Sequence, residues 1–464
     1  MKRSAAVALF CATLVVLPAT PAIAAVDLLQ AWDAARAHDP EFAAASAQRD
    51  AGQARARQGR ALLLPQVVAT AGTSYATDDR DVTGARFTAP GFGEVGGVGF
   101  HTRVANGQST SWALALQQTL FSAARLSESD TLALQADAAQ QQYAGARQKL
   151  MLDTATDYLN VVYAQERLAA MQAHKAALDE AQAAAQALFD EGRAPVTEAA
   201  EARAQRDEID ADLVSAQNDL EVSRAAFTLR TGLPAFSLEP VREDLAGAWE
   251  NGGGRLEDWL GRAVAGNPAM LQQRVNRDIA RKQIDRYKAL RSPSLDLVAR
   301  VGEDRLWGQS GWGPSSITAQ SRYVGVQLTV PVFTGGMRGA QYDETVALAE
   351  RAQGDLEATA NAVSRQTRAA WLAADSADQR LRARQRAHES ALLRLDATRT
   401  GREVGARTLL DELNARADEM RTRLALVRER HAWILDRLRL AAAAGELTDD
   451  ALSRANALLA PSNQ

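Results

Sequence analysis

Residues Val324–Met337, VGVQLTVPVFTGGM, join two segments of opposite character. Up to Val330 every second residue is Val or Leu, and this period of two is typical of a β-strand. Beyond Gly336 no proline occurs before Pro461, and the residues from 337 to 400 are rich in strong helix formers. At ~1.5 Å per residue they predict a helix of about 96 Å. A compact domain does not hold so long a helix.

Three further segments alternate in the same way: 66–76, 111–120 and 294–301. We expect two β-hairpins, 66–120 and 294–332, whose tips at 77–110 and 303–322 are exposed, mobile loops. Strands of ~10 residues match the length of membrane-spanning β-strands. Two amphipathic hairpins of an ordinary sheet would show the same periodicity, so alternation alone leaves both interpretations open.

The chain is a tandem repeat of two halves. His38–Asp39–Pro40 recurs 228 residues later as Gly266–Asn267–Pro268, and Gly192 recurs 213 residues later as Gly405. Each half contains a short helix, a hairpin, a very long helix and a shorter helix. The predicted helices are 40–62, 124–191, 196–231, 268–290, 337–400 and 407–444. The predicted divisions are a signal peptide (1–24), a first repeat (25–232), a linker or equatorial region (233–254), a second repeat (255–445) and a C-terminal tail (446–464).

The first residues resemble a secretory signal peptide. Lys2 and Arg3 precede an apolar run over 5–17, and Ala22–Ile23–Ala24 forms a small-residue cleavage signal. The run is too short for the ~20 residues of a spanning helix. We therefore expect cleavage after Ala24 and export from the cytoplasm.

Composition argues against several function classes. The chain has 53 Lys+Arg and 57 Asp+Glu, with a formal net charge of −4, which gives no basic surface for nucleic acid. The one cysteine, Cys11, lies in the expected signal peptide and excludes an intrachain disulfide. The glycines over 91–96 match G-x-G-x-x-G, but no acidic residue follows at the spacing of a dinucleotide site. The five histidines are scattered, and neither a hydrolase elbow nor a P-loop appears, so we expect no metal, no cofactor and no enzyme activity.

Four strands from a single chain leave two open sheet edges, which a membrane does not tolerate. The strands of several copies must therefore pair to close a barrel. Three copies give 12 strands, the smallest ring with room for a conduit, whereas eight strands are filled by side chains. In such a ring we expect Leu297 and Val326 to face lipid, and Asp296 and Gln327 to face the lumen.

The sequence resembles the TolC-like outer-membrane efflux and secretion proteins, most of all the type I secretion branch. The likeness covers about Val26 to Leu447. The stretches that carry it are DLLQAWDAARAHDPEF (27–42), LPQ (64–66), GRAPVTE (192–198), VGVQLTVPVFTGGM (324–337) and VGARTLLDELN (404–414). The resemblance implies a mainly α fold, with very long helices forming an α-barrel and four strands per chain forming a 12-stranded membrane β-barrel in a homotrimer. It also implies outer-membrane localisation with extension into the periplasm.

The same resemblance implies a periplasmic gate where each long helix turns into the shorter one. Arg407 and Asp411 match the family's gate arginine and first gate aspartate, and as an i, i+4 pair they could also form an ordinary ion pair. Asn414 stands where the family has a second aspartate, and Arg402 where it has a tyrosine. In the first repeat, Thr197 and Glu198 match a Thr–Asp pair, with Glu for Asp.

We therefore interpret the chain as a passive trimeric channel that exports substrate from a tripartite transporter. The resemblance implies a periplasmic adaptor and an inner-membrane ATPase or proton-driven pump as partners, with outer-membrane lipid around the barrel and no nucleic acid. Type I protein secretion, in which the cargo is often a repeat-rich toxin, is favoured because the leader has no lipobox. A small-molecule efflux pump is the alternative within the family. A periplasmic coiled-coil structural or adaptor protein is the alternative from another class.

Overall fold

The computed structural model describes residues 25–91, 93–236, 238–245, 249, 254–289 and 293–459. The expected signal peptide and parts of the expected linker and tail lie outside these residues. The helices are α1 (Leu28–His38), α2 (Pro40–Ala61), α3 (Ala123–Asp190), α4 (Val196–Thr231), α5 (Leu256–Gly266), α6 (Pro268–Ala289), α7 (Met337–Glu403), α8 (Leu409–Ala444) and α9 (Asp449–Asn456). The strands are β1 (Gln66–Ala89), β2 (Gly93–Phe121), β3 (Ser294–Ser310) and β4 (Gly313–Thr329).

The very long helices are confirmed. α3 has 68 residues and α7 has 67, which corresponds to about 100 Å each at ~1.5 Å per residue. The hydroxyl of Ser122 accepts a hydrogen bond from the backbone N–H of Arg125 at 3.3 Å and caps the start of α3. The three short helices α1, α5 and α9 were not predicted, because 8 to 11 residues give too few turns for a clear period.

The expected loops at 77–110 and 303–322 are wrong. β1 and β2 have 24 and 29 residues, β3 and β4 have 17 each, and two residues, Gly311 and Trp312, separate β3 from β4. The strands pair antiparallel in the order β1-β2-β3-β4. Polar side chains do not end a strand whose backbone groups are paired with its neighbour, so the hairpins continue beyond the apolar alternation.

The register of the sheet separates two faces. Leu297 lies opposite Val326, and Asp296 lies opposite Gln327, so the first pair shares one face and the second pair shares the other. We call them the Leu297 face and the Asp296 face. The Leu297 face also carries Val67, Ala69, Ala71, Trp112, Leu114, Leu116, Ala299, Val301 and Val324. The Asp296 face also carries Gln66, Thr70, Ser111, Gln117 and Thr119.

The helices continue the lateral order of the sheet. Next to the sheet α2, α3, α6 and α7 follow one another, and at the far end the order is α4, α3, α8, α7. One lateral edge of the chain therefore consists of β1, α2 and α4, and the other consists of β4 and α7.

The largest apolar core lies where the short helices meet α3 and α8. Trp433 and Tyr158 are fully buried there. The Tyr158 hydroxyl accepts a hydrogen bond from the N–H of Glu239 at 2.9 Å and lies 2.9 Å from the carbonyl of Val26. Among the described helices none is both long and apolar enough to cross a membrane.

Candidate functional site

The predicted gate residues lie in and beside two turns that join a long helix to a shorter one. In the first repeat α3 ends at Asp190 and α4 begins at Val196. In the second repeat α7 ends at Glu403 and α8 begins at Leu409. We call them the first turn and the second turn.

The two turns have the same backbone hydrogen bonds. Gly192 and Gly405 have φ of 73° and 77°, a left-handed conformation that favours glycine. In each turn the residue after this glycine donates its N–H, at 2.8 Å, to the carbonyl five residues earlier, which is Leu188 or Gly401. This bond satisfies a carbonyl that the end of the helix leaves unpaired. The 213-residue offset of the sequence thus reappears in three dimensions.

Both turns lie at the same end of the molecule. Leu413 of α8 belongs to the same buried apolar cluster as Ala202 and Ile209 of α4. The side-chain amide of Gln205 donates to Asn414 at 3.4 Å. Asn414 therefore links the two repeats beside the turns.

Asp411 caps α8. Its carboxylate accepts a hydrogen bond from the backbone N–H of Thr408 at 3.0 Å, and the Thr408 hydroxyl accepts one from the N–H of Asp411 at 3.1 Å. This is a capping box. The hydrogen bonds from Thr408 lower the pKa of Asp411, and the positive charge of Arg407 adds to them.

Arg407 is exposed and folds back over the second turn. Its Cγ would lie 2.8 Å from a Cβ atom at Gly401, so glycine makes room for its stem. The ordinary i, i+4 ion pair with Asp411 does not form in the described part of a single chain, where Asp411 engages Thr408 and Arg407 has no ion pair. The guanidinium thus lies at the tip of the chain, next to an acid that is already engaged.

An ion cluster that we did not predict joins the two helices of the second turn. Arg402, at the end of α7, places Nε 2.9 Å from a carboxylate oxygen of Glu412 in α8. Arg416 lies 2.7 Å from the other oxygen. Glu412 is only 2% exposed, whereas both arginines are partly exposed. Arg402, predicted for the gate, therefore pairs within its own turn.

The i, i+4 spacing of Glu412 and Arg416 is visible in the sequence. The burial of Glu412 is not, because that burial depends on how α8 packs. The charge of the cluster also acts on the first repeat. Burial is the main cause that lowers the pKa of His174 in α3, and the positive charge of Arg416 is the second.

The first turn has neither device. Its N-cap residue is Pro195, which makes no side-chain cap. Thr197 is exposed and Glu198 is half-buried, and the N–H of Glu198 donates to the carbonyl of Pro195 at 3.2 Å. At the 213-residue offset, Glu412 corresponds to Ala199, which is buried. The structure thus brings all six predicted residues to one end but gives the two turns different chemistry.

Neither turn assembles reactive groups. No group of three or more His, Cys, Asp or Glu side chains that could hold a metal ion occurs within the described residues. The arrangement has the means to position charges and to hold helix ends together.

A family model described as "Outer membrane efflux protein" matches residues 31–233 and 259–446, which include both turns. The chain belongs to this family. It is an outer-membrane protein whose long helices extend into the periplasm, and the interpretation as a periplasmic adaptor is set aside.

Curated relatives cover most of the chain. It is 28% identical to the outer membrane protein TolC of Escherichia coli (strain K12), over 94% of this chain and 86% of that protein. It is 27% identical to the proteases secretion protein PrtF of Dickeya chrysanthemi, over 92% and 89%. Among solved structures, CusC superposes with a TM-score of 0.72 at 16% identity, over 90% of this chain and 92% of that one. The fold is therefore that of a known transmembrane channel.

Proposed function

We propose that the protein is a passive homotrimeric channel that passes substrate from a tripartite transporter across the outer membrane, as in type I protein secretion. The observation that carries the proposal is the pair of complementary open edges on opposite sides of one chain. In a single chain β1 and β4 each leave one row of backbone N–H and C=O groups without a strand partner. Unpaired rows are not tolerated in lipid, so β4 of one copy pairs with β1 of the next.

The helical edges support the same ring. Val222 and Leu229 on α4 are 70% and 78% exposed, and Leu372 and Leu393 on α7 are 54% and 72% exposed. Within each pair the spacing is a multiple of seven, which is the period of a coiled-coil stripe. Apolar stripes on both outer edges are the surfaces that contact between copies would bury.

The number of copies follows from barrel geometry. Each copy supplies four strands. Two copies would close an eight-stranded barrel, which side chains fill, and three give a wider, 12-stranded ring. The apolar Leu297 face then points to lipid and the polar Asp296 face lines the lumen.

The six predicted gate residues act at the periplasmic tip of this trimer: Arg407, Asp411, Asn414, Arg402, Thr197 and Glu198. Arg407, which has no ion pair in the described part of one chain, would reach an acid of the neighbouring copy. Near a three-fold axis each charge occurs three times in a confined space, which strengthens its field. Opening would break these bonds as the docked partner favours the open state.

A passive tunnel supplies no energy for transport, so it needs partner proteins that do. A periplasmic adaptor would hold the tip, and an inner-membrane ATPase or proton-driven pump would supply energy. The name of PrtF favours protein cargo, and the family's description as efflux proteins keeps small molecules as the second candidate.

The test of the channel uses the full-length protein purified in detergent and inserted into planar bilayers. We expect a heat-resistant trimer on a denaturing gel and discrete conductance steps. Arg407→Ala with Asp411→Ala should raise the mean conductance while the trimer persists. The matched control is Arg351→Ala with Asp355→Ala, an exposed i, i+4 pair on α7.

A monomer that remains soluble without detergent would overturn the channel. Equal conductance in wild type and the Arg407/Asp411 variant, with the trimer intact, would remove these two residues from the gate and leave the channel in place. For the cargo, a deletion strain is assayed for secreted protein and for drug sensitivity. Drug sensitivity with unchanged protein secretion would favour small-molecule efflux.

A further inference from the structure

The end of the first hairpin extends beyond the four-stranded sheet. β2 pairs with β3 only from Ala105 onward, so Asp78–Ala89 of β1 and Gly93–Val104 of β2 pair only with each other. We call these residues the distal hairpin. It is about 40 Å long at ~3.3 Å per residue. An isolated two-stranded hairpin is marginally stable in water, so this one needs a surface to pack on.

The distal hairpin is amphipathic. Val82 lies opposite Phe100, and Phe87 lies opposite Val95. The rings of Phe87 and Phe100 are 6.2 Å apart between centroids, which shows that these pairs share a face. The four side chains are 40 to 47% exposed in the single chain, so a large part of each is open to contact with another surface.

Two bulges keep these side chains together. From Val82 to Ala85, β1 advances by three residues while β2 advances by two, and the next step is the reverse. Gly84 and Gly97, both with φ of 78°, lie at these bulges. Without them Phe87 and Phe100 would point to opposite faces, because side chains alternate along a strand.

The opposite face carries most of the charges. His101 lies 2.7 Å from Asp81 and 3.1 Å from Asp79, and Arg86 pairs with Glu94 at 3.3 Å. This face is suited to water. On the apolar face the charged residues are Asp78 and Arg80, at the start of the distal hairpin, and they pair with each other at 3.3 Å.

We call the four-stranded part of the sheet the lower sheet. In the distal hairpin the apolar and the charged side chains lie on the opposite faces from those that they occupy in the lower sheet. At the only shift before Val82 the extra residue is in β2, so β1 alternates without interruption from Gln66 to Val82. The even-numbered residues of β1 lie on the polar Asp296 face, and Val82 therefore lies on that face too. The charged Asp79 and Asp81 lie on the Leu297 face. Apolar side chains thus point outward in the lower sheet and inward in the distal hairpin.

We propose that the distal hairpins of the three copies pack their apolar faces against one another and form a cap over the outer mouth of the channel. This rests on the proposed trimer, in which the Asp296 face points to the axis. Lipid does not explain the apolar face of the distal hairpin, because the side of the hairpin that points toward lipid is the one that carries Asp79 and Asp81. A 12-stranded ring, with strands ~4.8 Å apart and tilted by ~40°, has a radius of about 12 Å, which the hairpin is long enough to reach.

The test is cysteine cross-linking in the outer membrane of intact cells. A Cys11→Ser background leaves each variant with one thiol, because Cys11 is the only cysteine. Phe100→Cys places a thiol on the inward face, and the neighbouring His101→Cys places one on the outward face. We expect a chain-dimer band with Phe100→Cys, on oxidation or with a flexible bismaleimide, and none with His101→Cys. An impermeant maleimide should label the His101→Cys thiol more completely than the Phe100→Cys thiol.

The heat-resistant trimer is measured in every variant. If Phe100→Cys prevents its formation, Val82→Cys with Asp81→Cys supplies a second inward and outward pair. Absence of the dimer band from the inward thiols, or equal bands from both faces, overturns the cap while an intact, conducting trimer leaves the channel standing. If wild type forms no trimer, the channel proposal itself fails.

Discussion

The two helix turns share a backbone and differ in what stabilises it. Gly192 and Gly405 adopt the same conformation and the same hydrogen bond closes each turn. Only the second turn adds the Thr408–Asp411 capping box and the buried Glu412 between two arginines. At equivalent positions the first turn has the buried Ala199 and the second turn has the buried Glu412. The second turn is the one that carries Arg407, so the better-fixed turn is the one proposed to close the gate.

The largest expected effect comes from Glu412→Ala. Removing the carboxylate takes its charged contacts from Arg402 and Arg416. Because these arginines are 42% and 29% exposed and regain water, the cost is about 2 kcal/mol rather than that of a fully buried pair. Hydrogen exchange, followed by mass spectrometry on the trimer, should accelerate in peptides that span the second turn and stay unchanged in the first. Arg203→Ala, at the position equivalent to Arg416, is the control. Equal acceleration in both turns would show that the cluster stabilises the whole tip.

A smaller effect, equal in both turns, is expected from Gly192→Ala and Gly405→Ala. Each places a Cβ on a residue with positive φ, at a cost of about 1 kcal/mol. Neither site has an atom within 4 Å of the added Cβ, so strain is the only term. The same exchange experiment should show similar local acceleration for both. If exchange accelerated much more in one variant than in the other, the two turns would share a backbone conformation but differ in the energy that it stores.

The smallest effect is a pH dependence confined to the second turn. The pKa of Asp411 is lowered in the folded state, so its stabilisation is present above the unfolded pKa of ~3.9 and is lost as pH falls below it. Exchange at the start of α8, corrected for the intrinsic rate, should be constant from pH 7 to pH 5 and should accelerate as the pH falls below ~3.9. Thr408→Ala should raise it across that range by removing the cap. A marked change between pH 7 and pH 5 in wild type would mean that another group titrates there.

Much of the fold could be predicted from the chain because its signals are local. Gly192, Gly405 and the Asp39–Pro40 and Asn267–Pro268 steps mark helix ends through backbone preference alone. Asp39 accepts a hydrogen bond from the N–H of Phe42 at 2.8 Å, as a residue that caps the following helix should. The long proline-free segments likewise required only helix propensity, and α3 and α7 appear where the pattern placed them.

The features that could not be predicted from the sequence depend on contacts between residues that are distant along the chain. The strands over 77–110 are polar and looked like loops, because their stability comes from pairing with a partner strand rather than from their composition. Glu412 looked like an ordinary solvated acid, and only the packing of α8 against its neighbours buries it between Arg402 and Arg416.

The sequence by itself determined the repeat, the long helices, the alternating strands and the family resemblance, since each depends on a periodicity or a short motif. The tertiary structure decided three things: that Asp411 engages Thr408 rather than Arg407, that Glu412 joins α7 to α8, and that Phe87 and Phe100 share one face. These depend on register, bulges and burial. A shift of one residue would reverse the face of Phe100 without changing the composition of its strand.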